Sequence, residues 1–172
     1  MPGRNAPRGA TTMTTIAWDG RFMAADRRIS MGTTTYSSTK IRRTADGRLI
    51  GATGDWPVAS LVLDWLEHGG ARPDCQSSDR WCTALEVTPD GRCWLHQRDG
   101  KWPVEDAFTA IGSGREYALA VMAVGLGAEK GVEVAARFDP GTGNGIDALE
   151  IAPAAAAATP VRAGMRGAAL AA

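Results

Sequence analysis

Thr14-Thr15-Ile16-Ala17-Trp18 follows Met13 directly and begins the first run of the chain that has the character of a β-strand. A threonine hydroxyl is a poor nucleophile inside a chain. At a free N-terminus, however, the α-amine of the same residue can accept the hydroxyl proton. The chemical importance of Thr14 therefore depends on whether it becomes the first residue of the protein.

Asp-Gly pairs separate the short runs that follow. Asp-Gly suits the positive φ angles of tight hairpin turns, so its repetition predicts a meander of antiparallel strands. The pairs are Asp19-Gly20, Asp46-Gly47, Asp90-Gly91 and Asp99-Gly100. The predicted strands are 14–19, 21–27, 37–44, 48–54, 82–88, 92–97 and 107–112. Pro103 would suit the edge of a sheet.

Three stretches have helical spacing of apolar residues. The first is capped by Asp55 with Pro57 close behind and ends at His68-Gly69-Gly70. A second follows Gly114, and a third runs over 128–138, before a last strand over 146–151. Strands and helices are segregated along the chain and do not alternate as in a parallel βαβ fold. The order predicts an α+β fold with antiparallel sheets.

Length and composition favour one soluble domain. The chain has 172 residues, 44% of them hydrophobic, which suffices for one sizeable core. Lysine plus arginine and aspartate plus glutamate both number 19, so net charge gives no reason to expect nucleic acid or an anionic membrane as a partner. Apolar runs are shorter than the ~18 residues of a membrane span, and residues 1–12 lack the apolar centre of a secretory signal. We expect a cytoplasmic protein.

The cysteines and histidines give no support to a metal site. Cys75, Cys82 and Cys93 are odd in number and show no C-x-x-C spacing, which argues against a disulfide framework and a zinc site. Reduced thiols are the favoured interpretation. His68 and His96 have no ligand-like spacing with cysteine or carboxylate.

Four motifs in order carry a family resemblance. They are Thr14-Thr15, Ala24-Ala25-Asp26-Arg27, Thr39-Lys40-Ile41-Arg42-Arg43 and Ala110-Ile111-Gly112-Ser113-Gly114. Their order and spacing, from about Thr14 to about Glu150, resemble the proteasome β-subunit family, which includes the bacterial HslV-type peptidases and the stand-alone bacterial proteasome homologues. Arg27-Arg28 replaces the glycine-containing continuation familiar from HslV, which favours the stand-alone homologues. The resemblance implies a four-layer αββα sandwich, the fold of the N-terminal-nucleophile (Ntn) hydrolases.

The resemblance also implies the chemistry of a threonine peptidase. Thr14 would be the nucleophile, and its hydroxyl would attack a peptide carbonyl to give an ester-linked acyl-enzyme that water hydrolyses. Lys40 would lower the pKa of that hydroxyl, and Asp26 would hold Lys40. The backbone N–H of Gly54 would face the developing oxyanion. Hydrolysis itself requires no cofactor.

Three further residues would fix the terminal amine of Thr14 by hydrogen bonds: Ser113, Asp139 and Thr142, with threonine at a position where the family has serine. Most of these residues also have a purely structural interpretation, and Thr14 could be an ordinary threonine that opens a β-strand. Lys40 could belong to a solvated basic run, and Asp26 could pair with Arg27 or Arg28 at the surface. Gly54 could serve a strand-to-helix turn, Ser113 a helix N-cap and Asp139 an Asp-Pro turn.

The expected organisation has three parts. Residues 1–13 are a removable leader or reflect a start at Met13, residues 14–151 form the Ntn-hydrolase domain, and residues 152–172 are an alanine-rich flexible tail. By resemblance, the subunits would stack as rings and cleave unfolded polypeptide inside a chamber. A folded substrate would then need an AAA+ ATPase unfoldase. The alternatives are an inactive ring-forming scaffold that keeps residues 1–13, and an Ntn amidohydrolase acting on a small amide.

Overall fold

The structure is a computed structural model that describes residues 11–73 and 82–152. Cys75, most of the expected leader and nearly all of the expected tail lie outside the described residues. The strands of the described part are β1 (Thr11–Thr12), β2 (Thr15–Trp18), β3 (Phe22–Asp26), β4 (Arg28–Met31), β5 (Thr34–Ser37), β6 (Ile41–Arg43), β7 (Leu49–Asp55), β8 (Cys82–Val87), β9 (Cys93–Gln97), β10 (Gly100–Val104), β11 (Thr109–Gly112) and β12 (Ile146–Glu150). The helices there are α1 (Trp56–His68), α2 (Arg115–Ala123) and α3 (Ala128–Phe138).

The strands form two sheets in which every pairing between described strands is antiparallel. The smaller sheet has the order β11-β2-β3-β12, with Ile16 opposite Ala25 on one side and opposite Ile111 on the other. The larger has the order β10-β9-β8-β7-β1-β4-β5, and β6 also pairs with β7. The predicted α+β fold with antiparallel sheets is confirmed.

Three apolar clusters join these elements. The first lies between the two sheets, because it combines Ile16 and Met23 of the smaller sheet with Leu49 and Leu85 of the larger. The second packs α1 against β7 and β8 of the larger sheet. The third packs α2 and α3 against β2 and β3 of the smaller sheet. Burial of these apolar faces, at roughly 25 cal/mol per Å² removed from water, is the main force that holds the sheets and helices together.

Helix α1 begins and ends as the sequence predicts. The Asp55 carboxylate accepts a hydrogen bond from the backbone N–H of Val58 at 3.3 Å, which satisfies one of the free donors of the first turn. At the other end Gly69 has a φ of 76°, and its N–H donates to the carbonyl of Trp65. The aspartate and the glycine that predict the two ends of α1 are therefore both observed as its caps.

The region before Lys40 differs from the prediction of one strand over 37–44. The structure has a separate hairpin, β4–β5, that turns at Gly32 with a φ of 62°, and only 41–43 form the later strand β6. All four residues of β5 are exposed. A polar, exposed strand has no alternation of apolar and polar residues, which is why the sequence pattern does not indicate this hairpin.

Candidate active site

The proposed nucleophile and its neighbours meet where β2 and β3 of the smaller sheet face the larger one. Thr14, Asp26 and Lys40 are each fully buried. Lys40 Nζ donates to Thr14 Oγ1, to the backbone carbonyl of Arg28 and, at 3.0 Å, to Asp26 Oδ1. The structure thus brings together three residues that lie 12 to 26 positions apart in the sequence.

The surroundings of Lys40 shift its pKa downward. Burial lowers the pKa of the Lys40 amine, and the positive charge of Arg28 acts in the same direction, whereas the carboxylates of Asp26 and Asp139 oppose it. A neutral amine in contact with a hydroxyl can accept the hydroxyl proton. Lys40 is the donor in the contact described above, so it can act as a base toward Thr14 once it has lost a proton.

Asp26 is held in place by the backbone of three separate segments. Its Oδ1 accepts from Thr15 N at 3.0 Å as well as from Lys40, and its Oδ2 accepts from the N–H groups of Arg28 and Gly143, both at 2.9 Å. The Arg27 guanidinium pairs instead with Asp147, at 3.7 Å. Asp26 therefore binds Lys40, and the surface pairing with an arginine side chain does not occur.

A second polar group lies beside the first. Ser113 Oγ and Thr142 Oγ1 both donate to Asp139 Oδ2, at 2.6 and 2.5 Å. Since the Thr142 hydroxyl proton goes to Asp139, Thr15 is the donor in the 2.7 Å contact between Thr15 Oγ1 and Thr142 Oγ1. The backbone N–H of Ser113 donates to the carbonyl of Thr14 at 2.8 Å. Ser113, Asp139 and Thr142 are thus adjacent to the Thr14-Thr15 pair.

Glycines allow the chain segments to approach this closely. A Cβ on Gly112, whose φ is 96°, would lie 1.8 Å from the Thr14 carbonyl oxygen. A Cβ on Gly114 would lie 2.2 Å from Thr15 Oγ1. The Gly-Ser-Gly sequence was the signal for this turn, and its glycines are required because the turn lies against Thr14 and Thr15.

Gly54 is related to the site through its pairing with β1. It belongs to β7 and is opposite Thr12 of β1, in a register that also pairs Thr11 with Asp55. On its other edge β1 pairs with β4, where Thr11 is opposite Ser30. Gly54 is therefore beside the residue two positions before Thr14, and its role at an oxyanion stays a prediction.

Sequence reasoning did not identify Thr15 or Arg28 as site residues. Thr15 was visible only as the second member of the Thr-Thr pair, and the side-chain contacts of Arg28 are with residues more than a hundred positions away. Among the described residues there is no group of three or more His, Cys, Asp or Glu side chains that could hold a metal ion. Within the same ranges, none of the helices has the length and apolar character of a membrane span.

No family model and no curated protein matches the chain. Solved structures, in contrast, do match the chain. Thiobacillus denitrificans BPH, a bacterial proteasome homologue, in complex with epoxomicin is 23% identical over 81% of this chain and 99% of that chain, with a TM-score of 0.60. Thiobacillus denitrificans BPH alone is 24% identical over 82% of this chain and 99% of that chain, with a TM-score of 0.56. The likeness shows a proteasome-like fold.

Proposed function

We propose that this chain is a threonine-type endopeptidase of the proteasome kind, with Thr14 as its nucleophile once Thr14 is the first residue. One observation carries the proposal: the Lys40 amine, buried and bound to Asp26, donates to the Thr14 hydroxyl. A buried, charge-paired lysine is costly for stability alone, so its place beside a hydroxyl favours a chemical role.

In the proposed reaction Thr14 is the nucleophile, Lys40 transfers the proton and Asp26 stabilises Lys40. Lys40 accepts the Thr14 hydroxyl proton as the oxygen attacks the substrate carbonyl carbon. As the tetrahedral intermediate collapses, Lys40 gives that proton to the leaving amine, and the acyl group remains as an ester on Thr14. Water then attacks the ester carbonyl and releases the carboxylic acid. Asp26 stabilises Lys40 whenever Lys40 carries the proton.

The same attack, directed at the carbonyl of Met13, would free Thr14. The hydroxyl of Thr14 would displace the Met13–Thr14 amide nitrogen to give an ester, and water would release residues 1–13. The α-amine so formed would lie near Ser113 and Asp139, since Gly141 lies against Met13 and within the same turn as Asp139. Ser113, Asp139 and Thr142 would then fix its protonation.

Strand β1 supports an extended polypeptide as the substrate. It occupies the position between β4 and β7, and its departure would leave two strand edges without a partner. Such edges bind an extended chain by main-chain hydrogen bonds. A small amide would not need this slot. A carbonyl bound there would pass Gly54, which is where we place the oxyanion donor.

The proposed layer arrangement, ring assembly and ATPase partner follow from the family resemblance. One apolar cluster packs a helix on the larger sheet, the next lies between the two sheets, and the third packs two helices on the smaller sheet. This order supports a four-layer αββα arrangement. We further propose stacked homo-oligomeric rings in the cytoplasm, supplied with folded substrates by an AAA+ ATPase. The ring would confine the nucleophiles to an inner chamber.

The test begins with expression from Met1, followed by intact mass and N-terminal sequencing. We expect a chain that starts at Thr14, cleavage of an unfolded protein such as casein, and a native mass an order of magnitude above the subunit. Thr14→Ala and Lys40→Ala should each abolish cleavage and leave assembly intact. Rings that form but never cleave, from either Met1 or Met13, would instead indicate an inactive scaffold. A monomer or dimer that hydrolyses only small amides would also contradict the proposal.

A further inference from the structure

Arg28, the first residue of β4, contacts both members of the buried ion pair through its backbone. Its N–H donates to Asp26 Oδ2 at 2.9 Å, and its carbonyl accepts from Lys40 Nζ. These contacts are available to any residue at this position except proline, which would lack the N–H. The identity of the side chain must therefore be explained by what the guanidinium does.

The guanidinium crosses the segment 140–144, which joins α3 to β12. Nη1 donates to the carbonyl of Pro140 at 2.7 Å and Nε donates to Asn144 Oδ1 at 3.2 Å. Between these two bonds Gly143 lies so close that a Cβ there would be 2.5 Å from Nη2. None of the salt bridges between described residues includes Arg28, and its guanidinium donates to neutral oxygens on this one segment.

The segment 140–144 supplies two contacts to the site. Gly143 N donates to Asp26 Oδ2 at 2.9 Å, and Thr142 Oγ1 accepts from Thr15 Oγ1 at 2.7 Å. Both contacts require the segment to stay against β2 and β3. Since the fork of an arginine has a fixed planar geometry, two bonds from one guanidinium fix the segment in position as well as in distance.

The charge of Arg28 acts on the same site. Three charged groups influence Lys40 besides its burial: Asp26 and Asp139 raise its pKa, and Arg28 lowers it. With both carboxylates opposing, Arg28 is the one of the three that favours the neutral amine.

We propose that Arg28 is a positioning residue of this site, because its guanidinium holds segment 140–144 against Asp26. The same side chain brings a positive charge near Lys40, which acts on the titration of that amine. The catalytic meaning of this inference rests on the proposed function. The two physical effects do not, because each can be measured in a protein that cleaves nothing.

The first experiment measures the titration of Lys40 without activity. The chain has three lysines, so ¹³Cε-lysine labelling gives three signals, of which Lys101 and Lys130 are half-exposed references. In a Thr14→Ala background we expect Arg28→Met to raise the pKa of Lys40, because a positive neighbour is removed. Arg28→Lys, which keeps the charge and adds a fourth lysine signal, should leave the pKa of Lys40 closer to that of the parent. The matched control is Arg27→Met, the same change one residue earlier, where the side chain faces Asp147.

The second experiment measures release of residues 1–13 from the chain with Thr14 intact, as a function of pH. Displacement of segment 140–144 should slow release in both Arg28 variants, by on the order of 100-fold in Arg28→Met. The acid side of the pH profile should move to higher pH in Arg28→Met alone, since its Lys40 needs a higher pH to lose a proton. Arg27→Met should match the parent in rate and profile.

The results of these two experiments distinguish a failure of the Arg28 inference from a failure of the proposed function. An unchanged Lys40 titration in Arg28→Met, or a release rate in Arg28→Lys equal to that of the parent, would overturn the corresponding half of the inference. If no chain, including the parent, releases residues 1–13, the proposed function fails, while the lysine titration still decides the role of the Arg28 charge. Should Arg28→Met not fold, Arg28→Gln replaces it, because glutamine also removes the charge and keeps one amide donor.

Discussion

At the scale of single residues, Asp26 links the most parts of the site. Its two oxygens accept four hydrogen bonds, three of them from backbone N–H groups. An asparagine has one acceptor oxygen, so its amide nitrogen would face donors. We predict that Asp26→Asn lowers the free energy of unfolding by about 1–3 kcal/mol and abolishes release of residues 1–13. Urea denaturation of the Thr14→Ala chain gives the first quantity.

Its control is Asp64→Asn. Asp64 is half-exposed and shares Arg42 with Glu67, so its loss should change the free energy of unfolding by less than about 0.5 kcal/mol. Equal effects of the two substitutions would show that the backbone contacts of Asp26 carry no special weight.

Gly112 has no room for a side chain. A Cβ there would lie 1.8 Å from the Thr14 carbonyl oxygen, at a φ of 96° that side chains rarely adopt. We predict that Gly112→Ala destabilises the fold by about 2–4 kcal/mol, from crowding and from backbone strain together. Gly100 is the control, because a Cβ on Gly100 meets no atom within 4 Å. Thermal unfolding of both variants measures the difference, and similar melting temperatures would contradict the prediction.

At the scale of residues, short sequence motifs predicted much of the site. Thr14, Asp26 and Lys40 lie in short motifs that carry the family resemblance, and the structure places Lys40 in contact with the other two. The guanidinium of Arg28 was not predictable, because it binds a carbonyl and an amide oxygen 112 and 116 positions away, and neither kind of partner has a sequence signature. Asp139 and Thr142 could be named only through the family resemblance.

At the scale of elements, a charged cluster on the outer face of the larger sheet joins β8, β9 and β10. Glu86 of β8 accepts from His96 of β9 at 2.8 Å, pairs with Arg48 at 2.7 Å and lies 3.6 Å from Lys101 of β10. The hydrogen bond from His96, followed by that from Arg48 and the charge of Lys101, lowers the pKa of Glu86 from 4.5 to about 2 although burial opposes the shift.

This cluster predicts acid sensitivity of the sheet. A carboxyl whose pKa is lower in the folded state stabilises the fold above its unfolded pKa and loses that effect as the pH falls toward its folded pKa. We therefore expect about 3 kcal/mol of stability to be lost between pH 4.5 and 2. Urea denaturation at several pH values should show this slope in the parent and lose it in Glu86→Gln. Glu133→Gln, at an exposed i,i+4 pair of α3, should retain most of it; identical slopes in all three proteins would contradict the assignment.

The order of elements was predictable where each has a local signal. Helix α1 has a capping aspartate and a terminal glycine, and the Asp-Gly turns mark hairpins such as β2–β3. The hairpin β4–β5 and the insertion of β1 between β4 and β7 were not predictable, because both depend on pairing between strands that are polar or very short.

At the scale of the whole molecule, β1 joins two parts of the larger sheet. It links β7 to β4, so the pair β4–β5 would lose this connection if residues 1–13 were released as proposed. We predict faster amide hydrogen exchange in 28–31 and 53–55 of the processed chain than in the unprocessed Thr14→Ala chain. Strands β8 and β9, which pair with each other in both states, are the internal control. Equal exchange in the two chains would mean that another segment replaces β1.

The hydrogen bonds of Asp26 and Thr15 also have a consequence for synthesis of the chain. Gly143 N reaches Asp26 across 117 positions, and Thr142 reaches Thr15 across 127. A ribosome delivers the threonine pair early and segment 140–144 only after most of the sheet has been translated. A nascent chain therefore carries its hydroxyl long before the groups that orient it, and the site is completed only when these distant segments meet.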